Sequence, residues 1–313
     1  MKYFALFFLV CCRFLSATLS PTSKEETRFL VFGGKTGWIG NMILEELQKG
    51  GFVCIPAESR LENREEILNE IEKTQPTHII NAAGVTGVPN VDWCESNKEQ
   101  TLRSNIIGAL NLADIAYLKG LHMTNFGTGC IYEYDETHPL GSSIGFTEED
   151  APNFFGSFYS STKVVLDKLL TYYPNVLNLR LRMPISSDLS PRNFITKITK
   201  YSKVINVANS MTVLDEMIPL AIELARQNET GNYNFTNPGV ISHNEILSLY
   251  KEYVDPDFTW ENFSIEEQNQ ILKAKRSNNE LDVTKLQGKF PELKEIHAAL
   301  IEVFEKIKQQ KTQ

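Results

Sequence analysis

The chain has 313 residues, 42% of them hydrophobic, with a formal net charge of −8 and a sequence pI near 5.3. This length and apolar content are sufficient for a large core. The acidic balance argues against binding to nucleic acid or to an anionic membrane surface, so an anionic substrate would need a local basic pocket. Between Asp188 and Asp215 there is no acidic residue, and the stretch carries Arg192, Lys197, Lys200 and Lys203. These basic residues form either such a pocket or a solvated helix face.

An apolar leader, residues 1–27, precedes the first predicted strand. Lys2 is followed by the apolar run 4–12 and then by Arg13 and small residues, a pattern that resembles a secretory signal peptide and is too short to span a bilayer. The cysteines after it are widely spaced and form no metal-ligand pattern, so we expect no metal site and a reducing compartment. We interpret the leader as signal-like or disordered and expect a cytoplasmic protein, with the secretory pathway as the alternative.

The first predicted element is a strand, a glycine turn and a helix. Residues 28–32 are apolar β-formers, and residues 41–47 have a helical pattern that ends at Gly50 and Gly51. The glycines between them allow a tight turn and the close approach of a pyrophosphate to a helix N-terminus. This order predicts a dinucleotide site with contacts from Gly34, Thr36, Gly37, Trp38, Ile39 and Gly40, although Trp38 suits packing better than stacking on a base.

The second predicted strand, 52–55, leads to the residues that would select the cofactor. Glu58 stands where an acid that prefers NADH would bind the ribose. Arg60 and Arg64 follow, and either could hold the 2′-phosphate of NADPH or be a solvated loop charge. The sequence therefore leaves NADPH and NADH open and favours NADPH.

Further strands are predicted at 78–81, 122–126 and 176–181, with helices at 102–118 and 161–172. This alternation predicts an α/β fold with a Rossmann-type, doubly wound parallel sheet, in which residues 28–183 form the NAD(P)-binding domain. One strand ends at the carboxyl edge of the sheet, where a dinucleotide crosses, in Asn81, Ala82, Ala83 and Gly84.

Three residues predict a site that acts on a ketone, and a cysteine stands beside them. Tyr159 and Lys163 are four apart and so lie on one helix face, where we expect the ammonium group to lower the pKa of the phenol and let it pass a proton to a carbonyl oxygen. Thr128 would give that oxygen a second hydrogen bond. Cys130 points from the same strand face, yet simple ketone reduction needs no thiol. The extra thiol indicates a second reaction.

Beyond Pro184 the pattern changes to short helices and polar loops, with helices expected at 193–200, 215–226, 244–253, 264–272 and 291–308. We interpret residues 184–313 mainly as a smaller substrate-binding cap that packs directly on the first domain.

These motifs together resemble the extended short-chain dehydrogenase/reductases that act on nucleotide sugars. Closer still, they resemble the UDP-4-keto-6-deoxyglucose 3,5-epimerase/4-keto-reductases of UDP-L-rhamnose synthesis. The likeness runs from about Arg28 to the last helix, and it is carried by segments 34–40, 81–87, 90–95, 152–160, 182–189, 209–215 and 276–282. Only the leader lies outside it.

The resemblance implies roles for individual residues. Thr128, Tyr159 and Lys163 match the catalytic residues of the reductase, and Cys130 and Lys197 match the pair that inverts C3 and C5 of the sugar. Related GDP-fucose synthases use a cysteine with a histidine, whereas segment 192–197 here offers a lysine. Which member of the pair takes a proton and which returns one stays open.

The resemblance also implies binding residues and a partner. Arg276 is expected at the diphosphate, because the planar guanidinium suits it, and Tyr159, Lys163 and Pro184 are expected beside the cofactor. The pocket for the sugar and the pyrimidine is expected to include Asn153, Asn193, Thr212 and Val213, each of which could equally cap a helix or fill the core. A homodimer through two helices is the expectation from the family.

The predicted function is therefore a bifunctional enzyme that performs 3,5-epimerisation and then NADPH-dependent 4-keto reduction of UDP-4-keto-6-deoxyglucose to UDP-L-rhamnose. One alternative is a single-step reductase of a UDP- or dTDP-4-keto sugar, which would not need Cys130 or Lys197. Another is a non-catalytic regulatory subunit on the same fold, which would be free to lose Thr128, Tyr159 and Lys163. The choice between UDP and dTDP stays open.

Overall fold

The computed structural model describes residues 27–312, so the predicted leader, apart from Thr27, lies outside the described residues. The strands within this range are β1 (Arg28–Phe32), β2 (Val53–Pro56), β3 (His78–Asn81), β4 (His122–Thr128), β5 (Val176–Leu181), β6 (Lys203–Val204), β7 (Gly231–Asn234) and β8 (Glu261–Asn262). Six of them form one parallel sheet in the order β2-β1-β3-β4-β5-β7, and β6 pairs with β8 in a separate parallel sheet. The predicted doubly wound fold class is confirmed.

Helices cover both faces of the large sheet. They are α1 (Trp38–Lys49), α2 (Arg64–Thr74), α3 (Asp92–Ser96), α4 (Lys98–Leu102), α5 (Ala109–Leu118), α6 (Phe158–Leu170), α7 (Phe194–Ile198), α8 (Leu214–Arg226), α9 (His243–Tyr253), α10 (Ile265–Ile271), α11 (Thr284–Lys289) and α12 (Ile296–Thr312). A π-helical segment, Arg103–Gly108, joins α4 to α5. None of the helices in residues 27–312 has the length and apolar character that crossing a bilayer requires.

The alternation of side chains along β1 explains why both faces of the sheet are covered. Phe29 and Val31 pack with α1 and α8 on one face, while Leu30 and Phe32 pack with α2, α5 and α6 on the other. All four side chains are buried. A strand that is apolar on both sides must be buried on both, as parallel sheets are.

The predicted strands β1, β3 and β5 have the observed bounds, and the predicted second strand is displaced by one residue. The fourth strand extends to Thr128, which brings this catalytic candidate to the carboxyl end of the sheet. The helix predicted at 102–118 is divided by the π-helical segment, which the apolar pattern does not reveal.

The chain beyond residue 184 contributes to two layers. A separate apolar cluster unites its short helices with α12 and includes Ile185, Ile195, Ile246 and Phe304. However, α8 and α11 pack on the first face of the large sheet, and β7 pairs with β5. Residues 214–235 and α11 therefore belong physically to the layers of the large sheet, and the cap is made from the remaining segments beyond residue 184.

Candidate active site

The turn after β1 is packed too tightly for side chains. Gly33, which the sequence analysis missed, has a φ of 81°, and a Cβ there would lie 2.8 Å from the carbonyl carbon of Ala82. Added Cβ atoms at Gly37 and Gly40 would collide with the Gly33 carbonyl oxygen. The signal was present, because a glycine directly after a strand marks a sharp turn. Helix α1 begins directly after this turn and has no side-chain cap, and a helix N-terminus of this kind can bind an anion.

A cavity of about 350 Å³ lies against this turn and extends over the ends of β1, β2 and β3. Its lining contains predicted cofactor residues, namely Thr36, Gly37, Arg60, Ala82, Ala83 and Gly84. Lys163 stands just beyond it, because a methyl group on Gly84 would come within 3.6 Å of the Lys163 Nζ. The cavity thus has the glycine-lined floor typical of a dinucleotide site, and it lies beside Lys163.

Other residues predicted to bind the cofactor do not line this cavity and make structural contacts instead. Asn81 is buried and accepts a hydrogen bond from the Ala83 N–H at 3.1 Å, which fixes the strand end. The Trp38 indole N–H donates to Asp188 at 2.5 Å, and Trp38 and Ile39 pack against the core. The Pro184 carbonyl accepts from Phe194 at the start of α7. Trp38 is therefore a packing residue, as its position suggested.

The two arginines considered for a 2′-phosphate differ in the structure. Arg64 donates to Asp114 at 2.5 Å, away from the cavity, so the interpretation of Arg64 as a phosphate ligand is corrected. The Arg60 side chain is 78% exposed, lies 3.7 Å from Glu62 and lines the cavity. Glu58 forms an ion pair with Lys35, so the acid expected at the ribose is already matched by a cation.

Tyr159 and Lys163 lie in the first two turns of α6, and both are nearly buried. The helix begins at Ser157, whose hydroxyl accepts from the Ser160 N–H, and the Glu95 carboxylate accepts from the Phe158 N–H at 2.6 Å. These contacts fix the rotation of α6. As a result, the Lys163 Nζ is 5.9 Å from the centre of the Tyr159 ring.

The electrostatics of this pair differ from the expectation. Burial raises the pKa of Tyr159, the nearby Cys130 raises it further, and a hydrogen bond with Thr128 opposes them. Burial lowers the pKa of Lys163 to about 8. The expectation that Lys163 lowers the pKa of the phenol is not met, because desolvation outweighs any effect of the ammonium group. Tyr159 is accordingly a neutral phenol, which is the form that can donate a proton.

Asn105 is a residue of the site that the sequence analysis missed. It lies in the π-helical segment, is 1% exposed, and exchanges two hydrogen bonds with Val85, from Val85 N–H at 2.8 Å and to Val85 O at 2.9 Å. Its carbonyl oxygen also faces Gly84. It fixes the loop after β3 beside Lys163, and no local pattern marks it, since its position depends on the π-helical turn.

Cys130 and Lys197 stand at the same edge of the sheet. Cys130 follows β4, its N–H donates to the Thr128 hydroxyl at 3.1 Å, and its side chain is half-buried. Lys197 lies in α7, which follows β5, and β5 is the parallel neighbour of β4. Parallel strands end at a common edge, so the chain segments that lead to Cys130 and to α7 leave the sheet on the same side.

The Lys197 side chain is half-buried and has no hydrogen bond or ion pair to any group in residues 27–312. Burial lowers its pKa, and the neighbouring Arg192 lowers it further. A lysine whose pKa is lowered releases a proton more readily near neutral pH.

Arg276 is held by the first residue of α3. Its Nη1 donates to Asp92 at 2.9 Å and to the Ala274 carbonyl at 2.7 Å. Asp92 also accepts from the backbone N–H groups of Lys273 and Ala274, so this carboxylate ties the 273–276 segment to α3. A diphosphate would have to share or replace Asp92 as the partner of Arg276.

The four remaining substrate candidates have structural contacts. Asn193 and Thr212 are 0% exposed and Val213 is 2% exposed. Asn193 caps α7, the Thr212 hydroxyl donates to Phe235 O at 2.8 Å, and Val213 lies in the cap cluster. Asn153 is half-buried, and its amide bridges Glu133 and Asp135. The first three are corrected to core and capping residues, since they have no surface to offer a substrate. The amide of Asn153 is already engaged.

The comparisons with known proteins agree with this geometry. Residues 30–215 match the model of the NAD dependent epimerase/dehydratase family. The chain is 56% identical over 291 residues to a bifunctional dTDP-4-dehydrorhamnose 3,5-epimerase/dTDP-4-dehydrorhamnose reductase of Arabidopsis thaliana, and the match covers 92% of this chain and 96% of that protein. The predicted resemblance is confirmed.

Two further relatives extend the comparison. One is a trifunctional UDP-glucose 4,6-dehydratase/UDP-4-keto-6-deoxy-D-glucose 3,5-epimerase/UDP-4-keto-L-rhamnose-reductase of the same plant, which is 56% identical to this chain over 279 residues. The match covers 89% of this chain and 42% of that protein. The other is the crystal structure of a UDP-rhamnose synthase from Acanthamoeba polyphaga mimivirus, with a TM-score of 0.85, 43% identity and coverage of 89% of this chain and 99% of that one.

Proposed function

This chain belongs to the NAD dependent epimerase/dehydratase family, and from that premise we propose that it is a bifunctional nucleotide-sugar enzyme. It inverts C3 and C5 of UDP-4-keto-6-deoxyglucose and then reduces C4 to give UDP-L-rhamnose. The observation that carries the proposal is the position of Cys130, whose thiol stands two residues after Thr128 and close enough to Tyr159 to affect the pKa of the phenol. Both sets of chemical groups thus border one space.

The epimerisation uses the acidity that a ketone gives to its neighbouring carbons. One member of the pair Cys130 and Lys197 removes a proton from C3 or C5, and the electron pair of that bond moves to the C4 oxygen as an enolate. The other member returns a proton to the opposite face of the same carbon, and the ketone forms again. Thr128 and Tyr159 donate hydrogen bonds to the oxygen while it carries charge.

The reduction uses the same oxygen. A reduced nicotinamide, when bound in the cavity beside Gly33 and Gly84, supplies a hydride to C4. Tyr159 donates its phenolic proton to the C4 oxygen, and a hydrogen bond from Thr128 keeps that oxygen in position. Lys163, with a pKa near 8, is the nearby cation that stabilises the phenolate left behind. One pocket therefore serves both steps in sequence.

The cofactor we propose is NADPH, with NADH as the alternative. Support comes from Arg60, which lines the cavity, and from the ion pair between Glu58 and Lys35, which leaves Glu58 less able to repel a 2′-phosphate. Arg276 is the proposed contact for the substrate diphosphate, released from Asp92 or shared with it.

We also propose a homodimer formed through the neighbouring helices around α5 and α6. Support comes from large apolar side chains that these segments leave exposed, namely Leu102, Ile107, Val165 and Leu169. Sedimentation of the purified protein measures this oligomeric state directly.

We also propose a cytoplasmic location, because the described cysteines, Cys54, Cys94 and Cys130, are free thiols.

The test is a reaction of the purified protein with UDP-4-keto-6-deoxyglucose and NADPH. We expect the absorbance of the reduced cofactor to fall and the product to be UDP-L-rhamnose, with the dTDP sugar as a parallel sample. A product inverted at neither carbon would identify a single-step reductase. Failure of both sugars to oxidise the cofactor, in a protein that binds NADPH, would identify a non-catalytic subunit.

A further inference from the structure

Arg182 is a buried cation whose hydrogen-bond acceptors are neutral. It follows β5 directly and is 1% exposed. Its donors meet neutral oxygens at Gly129 O (3.1 Å), Ser277 Oγ (2.9 Å), Ser277 O (3.0 Å), Asn209 Oδ1 (2.6 Å) and Ser210 O (3.4 Å). Within residues 27–312 no carboxylate forms an ion pair with it.

Burying a charge without a counter-charge costs folding free energy. A charge that is kept despite this cost indicates a function. Burial lowers the pKa of Arg182, and the groups that oppose this are two that become anions on losing a proton, Cys130 and Tyr134. Tyr134 donates its hydroxyl to Ala208 O, and burial raises its pKa to about 12, so it stays neutral. Cys130 is the remaining group on which the charge can act.

The contact between Arg182 and Cys130 is direct. The Arg182 Nη1 lies 3.9 Å from the Cys130 Sγ, a distance typical of an electrostatic contact rather than of a short hydrogen bond. Tyr159, from α6, also lies close enough to Cys130 for the two groups to interact, and it is a neutral phenol. A cation at this distance stabilises a thiolate, which is the reactive form of cysteine.

The residues next to Arg182 and Cys130, Met183 and Gly129, have restricted packing or backbone geometry. A Cβ on Gly129 would lie 3.0 Å from the Arg182 Cγ and 2.7 Å from Leu281, so a larger residue there would force one of these side chains to shift. On the other side, Met183 has a φ of 38°, an unfavourable value for a residue other than glycine. Unfavourable backbone next to a reactive group is common at functional sites, because the surrounding structure must hold it.

We propose that Arg182 is a positioning residue for the epimerisation, and that its fixed positive charge holds Cys130 as the thiolate. This rests on the proposed function and deepens it, because it assigns Cys130 as the base and Lys197 as the acid. The thiolate takes the proton from C3 or C5 and becomes a thiol, while the electrons of the broken C–H bond form the enolate. The Lys197 ammonium gives a proton to the opposite face and becomes an amine. Water then carries a proton from the thiol back to the amine.

The first test measures the alkylation of Cys130 by iodoacetamide over pH 6 to 10, by mass spectrometry of the peptide that contains it, in native protein and in Arg182→Met and Arg182→Lys. In Arg182→Met we expect alkylation to be about tenfold slower at pH 7 and equal to native at the highest pH, where any thiol is ionised. Arg182→Lys keeps a positive charge and should stay closer to native. Altered access alone would change the rate by one factor at every pH, and that result, or no change, would overturn the proposal.

A second test keeps Arg182 and so does not depend on the folding of its variants. Cys130→Asp places a permanent anion beside the guanidinium, and Cys130→Asn is its neutral match in shape. If Arg182 is an unsatisfied counter-charge, the aspartate protein should unfold about 2–4 °C higher than the asparagine protein at pH 7. A lower midpoint for the aspartate, as expected for a charge buried without a partner, would refute the proposal.

These readouts separate this proposal from the function on which it rests. Alkylation and thermal unfolding require no sugar, so they can show the effect of Arg182 even if the protein proves not to epimerise. Conversely, an active epimerase whose Cys130 reacts independently of Arg182 would leave the proposed function intact and remove Arg182 from it.

Discussion

Arg180 and Arg182 are two residues apart on one stretch of chain, both at least 98% buried, and they are surrounded quite differently. Arg180 donates to both oxygens of Asp167, at 2.9 and 2.7 Å, and this pairing raises its pKa despite burial. Arg182 meets neutral oxygens and the sulfur of Cys130, and burial lowers its pKa. The Arg180 pair, Arg180 with Asp167, has its charge neutralised. The Arg182 site, Arg182 with Cys130, leaves a charge available for chemistry.

The difference shows how to separate structural from functional charge in this fold. A buried ion pair that is complete should matter for stability and little for the reaction. A buried cation without a carboxylate, beside a reactive side chain, should matter for the reaction. The predictions that follow test this division, beginning with the largest effect.

Tyr159→Phe should abolish the reduction and leave stability and cofactor binding nearly unchanged, because it removes the phenolic proton next to the Arg182 site. Loss of a general acid costs about 10²–10⁴-fold in rate. Single-turnover oxidation of NADPH measures the loss, and titration of NADPH fluorescence is the control. Near-native turnover by a folded Tyr159→Phe protein would reject Tyr159 as the proton donor.

Asp167→Asn should have the opposite signature. It leaves Arg180 charged and without its carboxylate, which we expect to cost about 3–5 kcal/mol of the free energy of unfolding, with turnover per folded molecule close to native. Denaturant unfolding and an activity assay on the same sample measure both quantities. Asp114→Asn, which breaks the exposed pair with Arg64, is the matched control and should cost less than about 1 kcal/mol. Equal costs for the two variants would contradict the comparison.

The sequence predicts those parts of the fold and the site that depend on residues close together in the chain. The strands β1, β3 and β5 were predicted with their observed bounds, because short apolar runs between turns are a local signal. Tyr159 and Lys163 were found from their helical spacing. By contrast, the partners of Arg182 lie 27 to 95 residues away in the chain, so nothing around residue 182 reveals that it lacks an acid.

The failures have the same origin. Arg64 looked available for a phosphate until the fold placed Asp114, 50 residues later, against it. Asn193 and Thr212 have side chains suited to a sugar, yet the fold uses them to cap α7 and to bond Phe235, and it buries them completely. The pKa of Tyr159 was predicted in the wrong direction, because four-residue spacing gives proximity to Lys163 but not the degree of desolvation.

His78 and His122 extend the comparison to buried groups that stay neutral. Their rings are 5.4 Å apart at the amino ends of β3 and β4, and burial, together with His122, lowers the pKa of His78 to about 4. The unfolded chain, with an ordinary histidine pKa near 6.5, binds more protons than the folded one between these values. Stability is therefore fully present above about pH 6.5 and falls as the pH drops towards 4, by roughly 1–3 kcal/mol.

Unfolding in urea at pH 7, 6, 5 and 4.5 tests this expectation, with His78→Phe as the variant that keeps an aromatic ring but cannot take up a proton. The variant should lose less stability on acidification than the native protein does. Parallel pH profiles for the two proteins would show that His78 does not control the acid response.

Arg60→Ala should give the smallest effect, because the side chain is mostly exposed and its charge is screened. If Arg60 meets the 2′-phosphate, the dissociation constant for NADPH should rise roughly tenfold, which corresponds to ~1.4 kcal/mol, and that for NADH should hardly change. Arg64→Ala, whose guanidinium is held by Asp114, is the control. An equal change for both cofactors would make Arg60 an ordinary loop charge.

The most direct test of two reactions in one pocket is deuterium incorporation by native protein and by Cys130→Ser. Serine keeps the size of the side chain, but its hydroxyl is too weak an acid to supply an anion at neutral pH. With UDP-4-keto-6-deoxyglucose and NADPH in deuterated water, the native protein should place deuterium at C3 and C5 of the product. The variant should fold, bind NADPH and place little or none. Exchange at both carbons at the native rate in Cys130→Ser would show that Cys130 only packs, and it would contradict the bifunctional account.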